Sequence, residues 1–454
     1  MLLLKNCFHV ATLDNLSLTN VDILIKGNRI AEMGKSLSVA QYPKDDLRTL
    51  DCTDCVVIPG LVNTHHHFYQ TLTRNLPAVQ NAKLFEWLVY LYDVWKHIDE
   101  EAVYYSSLIA IGELLKTGCT LSTDHHYLYP NTFRGDLMGI QFEAAAKLGI
   151  RFSPSRGSMS LSKKNGGLPP DSVVQDERKI LEDSARVIEK YHDPSEDSMR
   201  KIVLAPCSPF SVTKESMKET ASLARTHHVR IHTHLAETED EEKFCREKFG
   251  KNPLALMEEV GFVGEDVFFA HGVFFNDAEL RTLAETKTSI AHCPSSNMRL
   301  GSGIARVKEM LDLGINVGIG VDGSASNDTS DMLGELRNAM LLQRVKYGAS
   351  ALTAGDAFEM GSRNGATMLN YTHLGKIKQG WLADLALFNV HKLEYTGSLS
   401  DPLAALLFAG ISHQAEYTIV NGKVVVEKGK LVGEKEETII EKGNAAAKRL
   451  LAAH

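Results

Sequence analysis

Eight short apolar runs alternate with amphipathic stretches through the middle of the chain, and this alternation limits the fold more than any other feature. The intervening stretches carry apolar residues at helical spacing, as in 101–116, 137–148, 172–191 and 214–228. Strands that alternate with helices are parallel, because each helix returns the chain to the start of the next strand. Eight such units over roughly 300 residues predict a (β/α)8 barrel, with reactive residues at the carboxyl ends of the strands.

Both ends of the chain are rich in short strands and turns instead. Residues 21–34 predict a hairpin around Gly27-Asn28, residues 416–427 predict another around Asn421-Gly422, and residues 384–388 add a strand. We expect the termini to meet in a small β-sandwich domain. The prediction is therefore an α/β chain in which residues 59–380 form the TIM barrel, while residues 1–58 and 381–454 form the β-sandwich and a C-terminal helix.

The charge balance narrows the expected partners. Of the 454 residues, 49 are Lys or Arg and 57 are Asp or Glu, which gives a formal net charge of −8. A chain without a basic block lacks the electrostatic footprint of a nucleic-acid binder. No apolar run has the length that crosses a bilayer, so we expect no membrane partner either. A small-molecule substrate is expected, and the sequence leaves open whether the chain forms a homo-oligomer.

Seven cysteines are scattered through the chain, an odd number that argues against a disulfide framework. Together with the absence of a signal-peptide pattern, they predict reduced thiols and a cytoplasmic protein. Cys52 and Cys55 have CxxC spacing, but a zinc site of this kind needs a second pair. A redox motif would precede a helix, whereas this one runs into the apolar strand 56–58. We interpret the two residues as strand-edge thiols.

Histidines and acidic residues end four of the apolar runs. In an extended strand, residues two apart project to the same side, so His65 and His67 point together and His66 points away. The fifth run ends at His234, with Glu237 three residues further on. His232 lies deeper on the same strand, and we expect it behind the ligands or in the core.

The sixth and eighth runs end at His271 and Asp322. We predict that His65, His67, His234 and Asp322 bind one divalent metal, which would activate a water molecule for hydrolysis. These ligands suit Zn²⁺, and Fe²⁺ is also compatible with them. The expected catalytic residues are Glu237 as the proton shuttle, and His271 and Asp322 as the groups that orient the water.

A second metal would need a bridging anionic group, often a modified lysine at the end of the fourth strand. The only lysine of the fourth run is Lys201, at its start. The sequence therefore favours one metal per chain.

Four motifs resemble the amidohydrolase superfamily and, within it, the guanine deaminase-like branch. The resemblance spans almost the whole chain, and the motifs that carry it are 59–67, 232–237, His271-Gly272 and 321–328. The resemblance implies the same metal ligands, shuttle and water-orienting groups as above, and a β-sandwich built from both termini. Further stretches (65–74, 124–128, 156–160 and 204–211) are similar to the 8-oxoguanine deaminases, which implies hydrolysis of 8-oxoguanine to urate and ammonia.

The same resemblance suggests the substrate-binding residues. Gln70 and Trp87 are expected to face the bicyclic ring, with Arg156 and Cys207 near the pocket rim. Simple helix packing is the alternative explanation for Trp87. Guanine deaminases have an arginine at the end of the fourth strand, where this sequence has Cys207, and this difference favours a ring decorated differently from guanine.

Other functions stay open at this point. Isoxanthopterin, guanine or a hydroxylated aminotriazine could be the ring that is deaminated. A cyclic-amide hydrolase predicts a two-metal site, which the missing lysine disfavours. A scaffold without catalysis predicts the loss of a ligand or of the shuttle, yet all six positions are present.

Overall fold

A computed structural model describes residues 1–14 and 17–454. Its central element is a sheet of parallel strands from the middle of the chain. In chain order, the eight barrel strands are Leu61–Asn63, Cys119–Ser122 with His125–His126, Arg151–Phe152 with Ser155–Ser158, Val203–Pro206, Arg230–Leu235, Val267–His271, Ser289–His292 and Val317–Ile319.

The second and third barrel strands are each interrupted by two residues, but pairing continues across the gaps. The first half of strand two pairs with the first half of strand three, and the second halves pair with each other. Ser155 N–H also donates to the carbonyl of Asp124 at 2.7 Å inside the gap. Because strand eight pairs with strand one, and strand one with strand two, the sheet closes on itself. The predicted barrel is confirmed.

Helices surround the barrel, and several begin at a side chain that accepts a backbone N–H, as Asp99, Asp176, Thr213 and Thr238 do. The α-helices are Leu84–Trp95, Glu100–Lys116, Leu137–Leu148, Glu177–Tyr191, Lys214–Thr226, Glu239–Phe249, Pro253–Glu259, Asp277–Thr286, Pro294–Arg299, Val307–Asp312, Ser324–Asn327, Met332–Tyr347, Ala354–Glu359, Gly365–Met368, Pro402–Phe408 and Glu436–Ala452. No helix in these described ranges is long and apolar enough to cross a membrane.

Both termini build a second, mixed sheet, as the sequence predicts. Its nine strands are Leu2–Ala11, Ser17–Lys26, Arg29–Gly34, Arg48–Asp51, Cys55–Pro59, Leu385–Asn389, Tyr417–Val420, Lys423–Glu427 and Lys430–Leu431. Strand Cys55–Pro59 pairs with Leu385–Asn389 and so joins the two ends of the chain. The C-terminal helix Glu436–Ala452 leaves this sheet and packs on the barrel helix Glu100–Lys116.

Candidate active site

Four side chains converge beyond the carboxyl ends of the first, fifth and eighth barrel strands. Nε2 of His67 lies 3.1 Å from Nε2 of His234. Oδ1 of Asp322 lies 3.3 Å from Nε2 of His65 and 3.3 Å from Nε2 of His67. All four residues are buried. The structure thus brings together the four predicted metal ligands.

Backbone carbonyls fix the protonation of two of these rings. Nδ1 of His67 lies 2.8 Å from the carbonyl oxygen of His125, and Nδ1 of His234 lies 2.6 Å from that of Cys207. A carbonyl only accepts, so each Nδ1 carries a proton and Nε2 is the atom that each ring can offer to an ion. The two Nε2 atoms face each other at 3.1 Å. A cation between them satisfies both.

His232 fixes the protonation of the third ring. Its Nδ1 donates to the carbonyl of Phe268 at 2.8 Å, so its Nε2 accepts from Nδ1 of His65, also at 2.8 Å. Nε2 of His65 is then a buried lone pair with no hydrogen-bond partner in the described part of the chain. Burial lowers the pKa of His65 to about 4 and that of His234 well below its ordinary value. Both rings are therefore neutral, as metal ligands must be.

The spacing of these donor atoms fits a divalent ion. A tetrahedral zinc ion with bonds of about 2.0–2.1 Å holds its ligand atoms about 3.3 Å apart. The separations given above are 3.1 and 3.3 Å. Imidazole nitrogens and a carboxylate oxygen are donors that zinc takes, and iron shares this preference.

In the described residues, the potential ligands share one centre. Two groups lie close enough to hold an ion, and His65 belongs to both. The first consists of His65, His67, His125 and His234, and the second joins His271 and Cys293 to His65. Lys201 donates to the carbonyl of Asn370, beside the start of the fourth strand rather than its end. The geometry of the described chain thus favours one metal.

We predict that His232→Phe lowers metal affinity by about 10–100-fold, the usual cost of losing a hydrogen bond that supports a ligand. Phenylalanine keeps the stacking on the ring of Phe268, whose centroid is 4.1 Å away, but cannot accept the proton of His65. Zinc titration against a competing chelator measures the change. His292→Phe, at another buried histidine, is the matched control. An unchanged affinity in His232→Phe would refute the supporting role.

Glu237 and His271 face each other beside the cluster. Nε2 of His271 lies 3.5 Å from Oε2 of Glu237 and 4.0 Å from Oδ2 of Asp322. Burial lowers the pKa of His271, but these two carboxylates outweigh it and leave the pKa above its ordinary value. Burial raises the pKa of Glu237, to whose Oε1 the Ser302 hydroxyl donates at 3.3 Å. Both shifts favour the protonated form, so Glu237 and His271 are two proton-carrying groups beside the cluster.

The backbone bends sharply at three of these strand ends. Ala236, His271 and Asp322 have φ of 54°, 74° and 62°, in the left-handed region that non-glycine residues rarely adopt. Such strain persists where the surroundings enforce it, commonly at active sites. Here the buried carboxylate of Glu241 accepts the backbone N–H groups of Ala236 and Glu237, at 3.0 Å each. Glu241 thus holds the turn that carries Glu237.

A cavity opens onto the cluster. The clustered polar groups form one part of its wall, and mainly apolar or aromatic side chains form the rest, the composition of a small-molecule site. The lining residues are His67, Gln70, Leu84, Trp87, Leu88, Tyr92, Tyr127, Cys207, Phe210, His234, Glu237, His271, Leu300, Asp322 and Ser326.

Three of the four expected substrate contacts lie in this wall: Gln70, Trp87 and Cys207. The amide oxygen of Gln70 lies 1.9 Å from an ideal Cβ on Gly323, so a larger residue at position 323 would displace the Gln70 amide from the cavity wall. Burial raises the pKa of the Cys207 thiol to about 12, so it is a neutral donor.

Arg156 is the exception among the expected contacts. Its guanidinium pairs with Asp183 at 2.9 Å and lies 4.1 Å from the ring centroid of Tyr129. Asp183 belongs to the surrounding helix Glu177–Tyr191, so the side chain points away from the cavity. Successive side chains on a strand alternate between its two faces, and the structure does not bring Arg156 to the cavity wall with Gln70, Trp87 and Cys207.

The sequence prediction did not include Tyr92, Tyr127 and Phe210 among the cavity residues. Tyr92 is an aromatic residue on an apolar helix, a pattern that usually indicates core packing. His125 was also missed. Its ring stacks on that of His234 with centroids 4.7 Å apart, and its Nε2 donates to the carbonyl of Ala205 at 3.0 Å.

Comparisons with known proteins agree with this geometry. A family model described as "Amidohydrolase family" matches residues 56–425. The chain belongs to the amidohydrolase family. It is 44% identical to 8-oxoguanine deaminase from Pseudomonas aeruginosa, over 95% of both chains. It is 35% identical to hydroxydechloroatrazine ethylaminohydrolase from Pseudomonas sp. strain ADP, over 96% of this chain and 92% of that one.

A solved structure supports the same assignment for the fold. The crystal structure of atrazine chlorohydrolase TrzN from Arthrobacter aurescens TC1 complexed with zinc superposes on this amidohydrolase with a TM-score of 0.93. The two chains are 30% identical, and the match covers 98% of this chain and 100% of that one.

Proposed function

We propose that this amidohydrolase hydrolyses the 2-amino group of 8-oxoguanine, giving urate and ammonia. The observation that carries the proposal is the convergence of three imidazole lone pairs and the Asp322 carboxylate in one cavity with Glu237 and His271. Amidohydrolase-type deamination needs these components: a site for a divalent ion, a proton shuttle and space for a small ring.

Each residue has a role in the proposed reaction. His65, His67, His234 and Asp322 would hold one divalent ion, zinc by preference, which supplies activation of water when bound. His271 and the free oxygen of Asp322 orient the attacking water against the amino-bearing carbon. Glu237 takes a proton from the water and delivers it to the ring nitrogen, and a further proton transfer lets the amine leave as ammonia.

The choice of ring rests on the cavity wall and on the relatives. 8-Oxoguanine carries a C8 carbonyl and an N7–H donor, where guanine has an N7 acceptor. The neutral Cys207 thiol donates to an oxygen, and the unpaired Gln70 amide oxygen accepts from an N–H group. The relative that is 44% identical is an 8-oxoguanine deaminase, which agrees with this choice of ring.

The seven free cysteines support the expected cytoplasmic location.

We predict that kcat/KM for 8-oxoguanine exceeds that for guanine by at least about 100-fold, because guanine leaves two buried partners unsatisfied at about 1–3 kcal/mol each. Coupled ammonia detection with the zinc-loaded enzyme measures both constants. A panel that adds isoxanthopterin and a hydroxylated aminotriazine serves as the control for ring class. Equal values for the two purines, or a faster pterin or triazine, would contradict the substrate assignment.

A cyclic-amide hydrolase is the second candidate function within the family. It predicts two metal equivalents per chain, whereas the placement of Lys201 beside Asn370 favours one. Dihydroorotate and hydantoin test it when disappearance of the intact ring is followed, because ring opening releases no ammonia and the ammonia assay would not detect it.

A further inference from the structure

Helix Leu84–Trp95 brings two polar groups to the cavity wall that the rest of the protein does not satisfy. The indole Nε1 of Trp87 and the hydroxyl of Tyr92 are buried and have no hydrogen-bond partner in the described part of the chain. Both residues line the cavity that contains Asp322 and Glu237. Buried polar groups are nearly always hydrogen-bonded, so an orphan pair in a cavity wall indicates a ligand.

Both groups can donate to the same kind of atom. An indole N–H is a donor only, and burial raises the pKa of Tyr92 well above its ordinary value, so the phenol stays protonated and donates. The neighbouring Cys207 thiol is a third, weaker donor in the same wall. An oxygen without a proton, such as a ring carbonyl, is the complementary group.

The ring of Tyr92 has a separate packing role. It meets the ring of Trp95 edge to face, with centroids 6.1 Å apart and an angle of 77° between the planes. Phenylalanine retains this contact and removes only the hydroxyl. The packing and the hydrogen bond of Tyr92 can therefore be tested separately.

We propose that Tyr92, with Trp87, binds a carbonyl oxygen on the part of the substrate that is not deaminated, and so selects heterocycles that carry this oxygen. The substrate class is an amino-substituted bicyclic ring with a second lactam carbonyl. The inference rests on the proposed function and extends it to a residue that neither the motifs nor the ligand geometry includes.

The test compares pairs of rings that differ by this oxygen and the ring N–H beside it: 8-oxoguanine with guanine, and isoxanthopterin with pterin. Dissociation constants are measured by calorimetry on zinc-loaded protein in which Glu237→Gln slows turnover, with and without Tyr92→Phe. We expect Tyr92→Phe to weaken binding of the oxygen-bearing ring by roughly 10–100-fold, and binding of its partner ring by less than about 3-fold. Tyr395→Phe, at a buried tyrosine that does not line the cavity, should change neither.

Two results would overturn the proposal: equal weakening of both members of a pair, which is the signature of packing, or no weakening of either. Failure of the proposed function looks different. Wild-type enzyme that releases no ammonia from 8-oxoguanine contradicts that function, while the binding difference within a ring pair still reports on Tyr92.

Discussion

Glu237→Gln is expected to lower kcat by about 10²–10⁴-fold while the protein keeps its full metal content. Glutamine has almost the same shape as glutamate and can still accept from Ser302 through its amide oxygen. It cannot take up the proton of the attacking water. The carboxylate faces His271, at 3.5 Å, and the close contacts between ligand atoms involve other residues.

Steady-state ammonia release and elemental analysis on the same preparation measure the two quantities. Glu335→Gln is the matched control, because it makes the same change at another buried carboxyl group that does not line the cavity. Loss of metal from Glu237→Gln would make Glu237 a ligand and contradict its assignment as the shuttle.

His234→Ala and Asp322→Ala are each expected to lose metal as well as activity. Each change removes one of the four converging donor atoms. Metal affinity should therefore fall further than it does when only a supporting hydrogen bond is lost, which costs about 10–100-fold. In His234→Ala, the lone pair on Nε2 of His67 also loses the atom that faces it at 3.1 Å.

Metal content after dialysis against a weak chelator, together with kcat, measures both effects. The control is His292→Ala, which truncates a buried histidine outside the cavity wall. An Asp322→Ala protein that stays fully metallated would restrict Asp322 to orienting the water.

The barrel could be predicted because its reactive residues mark the ends of its strands. His67, His234, His271 and Asp322 each follow an apolar run, and they meet because parallel strands end at the same edge. Local boundaries were less accurate. The amphipathic stretch 172–191 was expected to be helical from residue 172, but the helix begins at Glu177, where Asp176 caps it by accepting the backbone N–H of Lys179.

The supporting contacts of the site could not be predicted, because they join residues far apart in sequence. The hydrogen bond between His65 and His232 spans 167 positions. His65 is its donor because His232 uses its own proton to bond the carbonyl of Phe268. The pairing of Arg156 with Asp183 is likewise a contact between separate elements, 27 positions apart, that the sequence does not reveal. Tyr92 gave no signal, because a cavity-facing aromatic residue and a core aromatic residue have the same spacing.

The most direct test of the proposed reaction at a single metal centre is a zinc titration of metal-free protein, with urate and ammonia measured from 8-oxoguanine at each step. We expect equal amounts of the two products, and an activity that rises linearly and levels off at one zinc per chain. Activity that continues to rise to two equivalents would contradict the single centre around His65. Absence of ammonia at every zinc level would contradict the proposed reaction.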